Sequence, residues 1–403
     1  MQKLLSLFIS LLFITGIARS QNNYKEITLP ELMQKASKGG KGYIILDVRT
    51  PGEYMDTITG GRHVGIGRIK SAINISIQDL EQKPEAIKQL EQYKNKDVYV
   101  ICSHSYRSRR VSNLLLQNGF TSVNNVKGGM SEWYRNYDEL QTYMSSLYEN
   151  NISYHNLAPS QLYKKMAGNE RVEIIGLKSP PRFFFDSLQG PIYDFLPDIK
   201  NTTYYKLADS LQLLEKAKKA NGKPIVIFGT IGGGTNDIVA WLVQKGFSNI
   251  NFLAGSLTGF YEYMLNYQSP DARKKTLISQ SKIEFHTPLS FCKEQPENVQ
   301  WIDLRHDTSF NQITYGTKLD YKTLKGAVNF PFYNNADQFA QQFPDKTRLY
   351  MILPQDGYTG FDLADALLKK GYRIGWLLGG IERWEWYTNN IIEFNCKDQF
   401  IKE

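Results

Sequence analysis

The sequence predicts an α/β protein of three tandem units, each a parallel sheet flanked by helices, after a cleaved signal peptide. The same order of short apolar runs and amphipathic stretches occurs three times along the 403 residues, and internal repetition of this kind indicates repeated structural units. Near-continuous apolar strands separated by helices favour parallel sheets covered on both faces. The spacing between two landmarks is 26 residues in each copy, from Cys102 to Gly128, Gly229 to Gly255 and Leu353 to Gly379.

The N-terminal residues are typical of a signal peptide. Lys3 precedes an apolar stretch of 14 residues from Leu4 to Ile17, which is shorter than the roughly 20 residues of a membrane span. Small residues in Ala18-Arg19-Ser20 predict cleavage before Gln21, so residues 1–20 are the predicted signal peptide. The alternative is an uncleaved anchor. We expect an exported protein, periplasmic or extracellular, without a stable membrane anchor.

The mature chain divides into predicted units at 24–150, 151–278 and 279–403. Polar stretches near 150 and 280 set these boundaries. Each unit is predicted to have the order strand, helix, strand, helix. Its predicted helices end at a glycine, which is a common signal for the end of a helix. The three units open on equivalent apolar runs at Tyr43–Arg49, Glu173–Lys178 and Val299–Arg305.

Charge and cysteine content restrict the partners that we expect. The net charge is +8 and the pI is near 9.0, but there is no dense Lys/Arg run and no zinc-finger spacing, so a mildly basic surface is favoured over nucleic-acid binding. We expect no metal and no cofactor. The chain has three cysteines, so at least one thiol is unpaired. Whether Cys292 and Cys396 pair is left open.

Cys102 is the candidate nucleophile. It directly follows the predicted strand Asp97–Ile101, and a helix is predicted to begin near Arg107. The free N–H groups of a helix N-terminus favour an anion, so this position favours the reactive thiolate. Arg107 adds a charge at the end of the loop, unless it is merely a solvated residue at the helix start.

The first unit resembles the rhodanese homology domain. The resemblance depends on an ordered set of motifs: Leu46-Asp47-Val48-Arg49 with Glu53 and Tyr54, Ile69-Lys70-Ser71-Ala72-Ile73-Asn74-Ile75, the loop Cys102-Ser103-His104-Ser105-Tyr106-Arg107-Ser108, and Lys127-Gly128-Gly129 with Trp133. The third unit matches in Asp303-Leu304-Arg305, Lys325-Gly326-Ala327-Val328-Asn329 and Gly379-Gly380 with Trp384. The second matches more weakly, with Ile199-Lys200-Asn201 and Asp209 at the positions of Ile69-Lys70-Ser71 and Asp79.

The resemblance implies a sulfurtransferase whose active-site loop runs from Cys102 to Arg107. The loop has the length of the sulfur-handling members and is one residue shorter than that of the related phosphatases. The family's single-domain members usually place glycine three residues after the cysteine, where this chain has Ser105. The predicted substrate-binding residues are Ser103, His104, Ser105, Tyr106, Arg107 and Ser108. Asp47 and Arg49 are predicted to support the loop. His104 either tunes the thiolate or contacts substrate, or it is an exposed loop residue with no role.

The predicted reaction has two steps. Cys102 takes the outer sulfur of thiosulfate or a related anion as a persulfide, and cyanide or a thiol then accepts that sulfur. The equivalent positions in the other units are Gly229 and Leu353, which cannot form a persulfide. Residues 151–403 are therefore candidates for binding a protein partner, and a sulfur carrier or interaction scaffold with little turnover is the alternative function. Phosphatase or arsenate-reductase chemistry and anion binding at the loop 229–235 are lesser alternatives.

Overall fold

The computed structural model describes residues 24–57, 65–178, 198–199, 202–206, 210–220, 222–229, 235–269, 271–273, 277–278, 282–307, 323–354, 360–391, 394 and 396. The predicted signal peptide lies outside these residues, as do Asp209, the glycines at 232–234 and Tyr358. Within the described ranges, no helix combines the length and the apolar character needed to cross a bilayer.

The first unit contains strands β1–β7 and helices α1–α8. Helix α1 begins at a capping box, in which the Thr28 side chain accepts from the Glu31 N–H and the Glu31 carboxylate accepts from the Thr28 N–H. The strands are β1 Lys25–Ile27, β2 Tyr43–Asp47, β3 Arg68–Ile69, β4 Ile73–Asn74, β5 Asp97–Ile101, β6 Ser122–Val126 and β7 Tyr148–Glu149. The helices are α1 Leu29–Ser37, α2 Pro51–Tyr54, α3 Ile77–Gln82, α4 Pro84–Lys88, α5 Tyr106–Gln117, α6 Glu132–Arg135, α7 Tyr137–Leu140 and α8 Met144–Leu147.

The second unit repeats this order of elements. Its first helix begins with Pro159, where the missing N–H of proline costs nothing, and the first helix of the first unit likewise has proline, Pro30, in its first turn. The strands are β8 His155–Leu157, β9 Glu173–Lys178, β10 Asp198–Ile199, β11 Thr202–Lys206, β12 Ile225–Gly229, β13 Ile250–Leu253 and β14 Leu277–Ile278. The helices are α9 Pro159–Ala167, α10 Ser210–Lys219, α11 Thr235–Gln244 and α12 Ser256–Tyr267.

The third unit has the same plan and is closed by a disulfide between Cys292 and Cys396. The pairing that the sequence left open is therefore present. The strands are β15 Glu284–His286, β16 Val299–Asp303, β17 Val328–Asn329, β18 Leu349–Leu353 and β19 Arg373–Leu377. The helices are α13 Pro288–Glu294, α14 Ala336–Gln342, α15 Phe361–Lys369 and α16 Gly380–Asn390.

Three five-stranded sheets share one strand order. If the five strands of each sheet are numbered in chain order, they lie side by side in the order first, fifth, fourth, second and third. The three sheets are β1-β6-β5-β2-β4, β8-β13-β12-β9-β11 and β15-β19-β18-β16-β17. All neighbouring strands in these sheets are parallel. The predicted α/β class, with parallel sheets flanked by helices, is confirmed. The unit boundaries and the family of the second and third units stay predictions.

The sheets are buried on both faces. In β2, Leu46 belongs to one apolar cluster and Ile45 to another on the opposite face, as the alternation of side chains along a strand requires. Ala158 and Ala254 of the second unit pack into the cluster that contains Ile45. A further cluster joins residues of the second and third units, so apolar packing connects all three units.

Candidate active site

Cys102 lies where strand β5 leads into helix α5. Its residue is 1% exposed, and it is the free cysteine of the chain, since the other two form the disulfide. The loop between Ile101 and Tyr106 is four residues long, so the thiol sits at the base of a tight turn that faces the N-terminus of a 12-residue helix. The sequence prediction of this strand–loop–helix geometry agrees with the structure.

Ser105 holds the turn in a left-handed backbone conformation. Its φ is 74° and its ψ is −20°, a region that glycine enters freely and other residues enter at a cost. The Ser105 side chain is fully buried, and its Oγ donates to the Val126 carbonyl at 3.0 Å. The serine therefore adopts the backbone conformation that suits glycine and adds a hydrogen bond that glycine lacks.

Ser108 is the polar neighbour of the thiol. The Cys102 Sγ lies 3.5 Å from the Ser108 Oγ, which in turn donates to the Asn125 Oδ1 at 2.7 Å. Asn125 is fully buried on β6, and its Nδ2 donates to Glu26 at 3.3 Å. Towards the neutral thiol the Ser108 hydroxyl is the acceptor, and its single proton is shared between the Asn125 Oδ1 and the Ser105 carbonyl, the latter at 3.1 Å. To donate to a sulfur anion, the hydroxyl turns away from these two acceptors.

Arg107 is held by Glu53 in a two-point ion pair. The Arg107 Nη1 and Nη2 donate to the two Glu53 oxygens at 2.6 and 2.7 Å, and Nη2 also donates to the Ser103 Oγ at 2.9 Å. Burial opposes ionisation of Glu53, but hydrogen bonds from Arg107 and Thr50 outweigh it and lower the pKa of the carboxyl to about 2. The same ion pair raises the pKa of Arg107, and the charge of Cys102 adds to this effect. Arg107 thus contributes a fixed, largely neutralised cation rather than a free one.

Asp47 and Arg49 form a fully buried ion pair at the C-terminal end of β2. The Arg49 Nη2 donates to Asp47 at 2.7 Å, and the Asn74 amide donates to the carbonyls of both residues at 2.9 Å. Asp303 and Arg305 repeat this pair in the third unit, again at 2.7 Å. Because the third unit has leucine in place of Cys102, the ion pair does not depend on sulfur chemistry and supports the backbone at this edge of the sheet.

His104 stands at the crest of the loop. Its side chain is exposed, yet desolvation lowers its pKa to about 4, and Arg135, Arg383 and Arg107 add to the lowering. The two observations are compatible because a side chain in a concave region can meet water on one side while protein surrounds it on the others. His104 is therefore uncharged at neutral pH. Tyr106, two residues further along the chain, is also exposed, by 61%.

The segment after β6 donates backbone hydrogen bonds to the Cys102 loop. The Met130 N–H donates to the Cys102 carbonyl at 2.8 Å, and the Ser131 N–H donates to the Ser103 carbonyl at 3.1 Å. A Cβ on Gly129 would collide with the Cys102 carbonyl oxygen, so this close approach requires glycine. Helix α6 begins at the next residue, Glu132.

The structure gathers the predicted site residues around one turn. Ser103, Ser105, Arg107 and Ser108 form hydrogen bonds within or beneath it, whereas His104 and Tyr106 face outwards at its crest. The sequence motifs include Glu53 but predict no role for it, and they do not include Asn125, so the hydrogen-bond partners of Arg107 and Ser108 come from the structure. The capping pattern Thr50-Pro51-Gly52-Glu53 was a local signal for α2, but nothing local pointed to Arg107.

A free cysteine at the base of such a turn, between a parallel strand and a helix N-terminus, is an arrangement suited to cysteine-dependent group transfer on an α/β domain. The profile of the rhodanese-like domain family matches residues 28–136. A putative sulfurtransferase of Bacillus subtilis, YtwF, is 33% identical over 109 residues, which cover 27% of this chain and 89% of that protein. The chain belongs to the rhodanese-like domain family.

Other similar proteins match this chain over a smaller share of their own length. A tRNA uridine(34) hydroxylase of Cytophaga hutchinsonii is 30% identical over 99 residues, or 25% of this chain. The uncharacterized protein YqhL of B. subtilis is 34% identical over 89 residues, or 22% of this chain. This chain spans 28% of the length of the hydroxylase and 59% of the length of YqhL. The similarity to these proteins is confined to a segment about the size of the first unit.

Solved structures give a weaker likeness over a longer range. A thiosulfate sulfurtransferase from Pseudomonas aeruginosa has a TM-score of 0.23 at 14% identity, covering 90% of this chain and 65% of its own. A complex of an EanB variant with hercynine has a TM-score of 0.27 at 16% identity, covering 92% of this chain and 97% of its own. These scores are too low to imply a shared arrangement of the units.

Proposed function

We propose that the protein is an exported sulfurtransferase that carries sulfane sulfur on Cys102. The observation that carries the proposal is the position of the Cys102 thiol, which is buried at the base of the turn, 3.5 Å from a hydroxyl and opposite the N-terminus of α5. Such a setting favours a sulfur anion, because helix N–H groups and a hydroxyl donor act on it together. Family membership supports sulfur transfer as the class of reaction.

In the proposed cycle, the Cys102 thiolate attacks the outer sulfur of thiosulfate. The new S–S bond forms as the bond to the sulfonate sulfur breaks, and sulfite leaves with the electron pair. Cyanide or a thiolate then attacks the outer sulfur of the persulfide, and the electron pair returns to Cys102. The step regenerates the thiolate without net oxidation. Arg107 and Glu53 hold the loop shape during both steps, and Ser108 donates to whichever sulfur is anionic.

Mass spectrometry of the intact protein tests the proposal. After treatment with thiosulfate, the wild-type protein should gain one sulfur atom and should then convert cyanide to thiocyanate. Cys102→Ser should do neither, while its circular dichroism stays that of the wild type. Equal sulfur gain in both proteins would refute the assignment of Cys102.

Export is supported by the disulfide between Cys292 and Cys396, since disulfides persist mainly in oxidising compartments. A cell-fractionation experiment with an epitope-tagged chain tests this. We expect the protein in the periplasm or medium with residues 1–20 removed. Recovery of a full-length chain in the cytoplasm would contradict it.

A sulfur carrier or interaction scaffold is the second candidate. It is favoured by Gly229 and Leu353, which replace the nucleophile in the second and third units. Under this alternative, Cys102 still gains sulfur, but steady-state turnover with free cyanide or thiols is negligible, and residues 151–403 bind the protein that accepts the sulfur. The ratio of sulfur loading to turnover separates the two candidates.

A further inference from the structure

A chain of four polar side chains connects the buried thiol to the edge strand β1. The Cys102 Sγ donates to the Ser108 Oγ at 3.5 Å, and the Ser108 Oγ donates to the Asn125 Oδ1 at 2.7 Å. The Asn125 Nδ2 in turn donates to the Glu26 carboxylate at 3.3 Å. Glu26 and Asn125 are register partners on the parallel strands β1 and β6, so their side chains project from the same face of the sheet. We call these four residues the polar chain.

Glu26 fixes the direction of the hydrogen bonds in the polar chain. An ionised carboxylate only accepts hydrogen bonds, whereas an amide has one donating and one accepting end. The amide nitrogen of Asn125 therefore faces Glu26, and its oxygen faces Ser108. The single proton of the Ser108 hydroxyl points to that oxygen or to the Ser105 carbonyl at 3.1 Å. The hydroxyl consequently accepts from the neutral thiol and has no proton left to donate to a thiolate.

Burial makes this direction costly to reverse. Ser108 and Asn125 are fully buried, and Cys102 is 1% exposed. If the Asn125 amide turned over, its oxygen would face the Glu26 carboxylate with no proton between the two acceptors. If only the Ser108 hydroxyl turned, the Asn125 oxygen would lose its donor, and an unsatisfied buried acceptor is unfavourable. Either way, the polar chain opposes the hydrogen bond that a thiolate needs.

A neighbouring cation balances the charge of Glu26. The Lys127 Nζ lies 3.3 Å from the Glu26 carboxylate, and the Lys127 side chain is buried. Burial raises the pKa of Tyr24, a second neighbour of Glu26, although the charge of Arg109 on α5 lowers it, so the phenol is uncharged at neutral pH. Because Lys127 offsets the charge of Glu26, we expect Glu26 to act on the thiol mainly through the direction of the hydrogen bonds.

The charged groups on the loop side of the thiol lie outside the polar chain. Arg107 acts on Cys102 but is held by the two-point ion pair with Glu53. Burial lowers the pKa of His104 to about 4, so this side chain is uncharged at neutral pH. Substitutions at positions 26 and 125 leave all three of these groups in place.

We propose that Glu26 and Asn125 are positioning residues that hold the resting Cys102 as a thiol by keeping the Ser108 proton turned away from the sulfur. The N–H groups of α5 favour the anion, and the polar chain opposes it until the hydroxyl turns. On ionisation, the S–H proton passes to a base in solution and the Ser108 O–H turns to the sulfur. The inference rests on the proposed function for the reaction that then uses the thiolate.

A pH titration of the thiolate tests the proposal. The ultraviolet absorbance of the thiolate, taken as the difference between each protein and its Cys102→Ser counterpart, follows the ionisation of the free cysteine. Glu26→Gln allows the Asn125 amide to turn over, because a glutamine side chain accepts or donates, and Asn125→Leu removes the acceptor. In both variants the midpoint of thiolate formation should fall by about one pH unit, the effect of one hydrogen bond to a charged group.

The shift should depend on Ser108. In a Ser108→Ala background, Glu26→Gln and Asn125→Leu should each move the midpoint by less than about 0.3 pH unit, because the hydroxyl that they steer is absent. A direct effect of the lost Glu26 charge on the sulfur would instead move the midpoint equally in both backgrounds.

Glu81→Gln is the matched control. Glu81 pairs with Arg110 of α5, and its side chain is 36% exposed, against 34% for Glu26. This substitution also removes a half-buried, paired carboxylate from the first unit, but outside the polar chain. The midpoint should stay at the wild-type value.

The outcomes separate this inference from the proposed function. An unchanged midpoint in Glu26→Gln would overturn the inference, and that variant decides the matter if Asn125→Leu does not fold. Shifts of equal size in the Ser108→Ala background or in Glu81→Gln would overturn it as well, because they would indicate a general effect of charge. If the wild-type chain gains no sulfur from thiosulfate in the intact mass, the proposed function fails, while the absorbance titration still decides the roles of Glu26 and Asn125.

Discussion

Substitutions at Ser105 separate the cost of a strained backbone from the value of a buried hydrogen bond. The residue sits three positions after Cys102 with a φ of 74°. For a residue with a Cβ, the left-handed region costs about 1–2 kcal/mol. The hydrogen bond from the Ser105 Oγ to the Val126 carbonyl, at 3.0 Å, offsets about 1 kcal/mol of this.

The two effects predict an order of stability. Ser105→Ala keeps the strained backbone and loses the hydrogen bond, so we expect a loss of about 1–2 kcal/mol, because a buried carbonyl also loses its partner. Ser105→Gly loses the same bond and gains about 1–2 kcal/mol from relief of strain, less about 0.5–1 kcal/mol for the added freedom of the unfolded chain. The glycine variant should therefore be more stable than the alanine variant by about 0.5–1 kcal/mol.

Thiol labelling in urea measures this difference in the first unit alone. Cys102 is buried, and the other two cysteines form the disulfide. The fraction of chains that reacts with a brief pulse of a polymer-linked maleimide, which is too large to reach the thiol in the folded chain, therefore reports the opening of the region around the loop. Intact-mass spectrometry counts the labelled chains at each urea concentration. The midpoints of the labelling curves give the order of the three proteins, provided that opening and closing are fast.

Ser103 supplies the matched control. It lies in the same turn with a negative φ, and its hydroxyl accepts from Arg107. At this position alanine should be more stable than glycine, the reverse of the order at Ser105. If alanine equals or exceeds glycine at Ser105, the argument from backbone strain is refuted.

Three further predictions concern side chains around the loop and the disulfide. The pKa of Glu53 is about 2 in the folded protein against 4.5 ordinarily, so its ion pair stabilises the fold by about 3 kcal/mol above pH 4.5. This contribution is lost as the pH falls towards 2, and the difference in urea midpoint between wild type and Glu53→Gln should shrink with it. A midpoint difference that stays constant over this pH range would contradict the prediction. Ser108→Ala should slow persulfide formation about tenfold through the lost hydrogen bond to the sulfur anion, whereas Ser112→Ala, which removes a buried hydroxyl without a hydrogen-bond partner among the described residues, should leave the rate nearly unchanged in stopped-flow assays. Cys396→Ser opens a loop with a sequence separation of 104 residues and should cost about 4–5 kcal/mol on the chain-entropy account, visible as an earlier tryptophan fluorescence transition in urea; an unshifted transition would show that packing alone holds the C-terminal segment.

Local patterns sufficed to predict much of the first unit. The run Tyr43–Asp47 is near-continuously apolar and forms a central strand, and the equal spacing from Cys102, Gly229 and Leu353 to the following glycines corresponds to equivalent strand, helix and strand positions in three sheets. These features could be predicted because the periodicity of hydrophobic residues and the signals that end helices depend on only a few neighbouring residues. The position of Cys102 between a strand and a helix follows from the same local signals.

The tertiary structure decided which groups surround the thiol. Glu53 is 54 residues from Arg107 in the chain, and Trp386 reaches Arg135 from another unit; no local pattern encodes such pairs, because their geometry depends on how whole sheets and helices pack. The sequence shows that Arg107 carries a charge, whereas the fold shows that Glu53 largely neutralises it. A side chain's identity is set residue by residue, but its electrostatic environment is the sum over neighbours that only folding brings within a few ångströms.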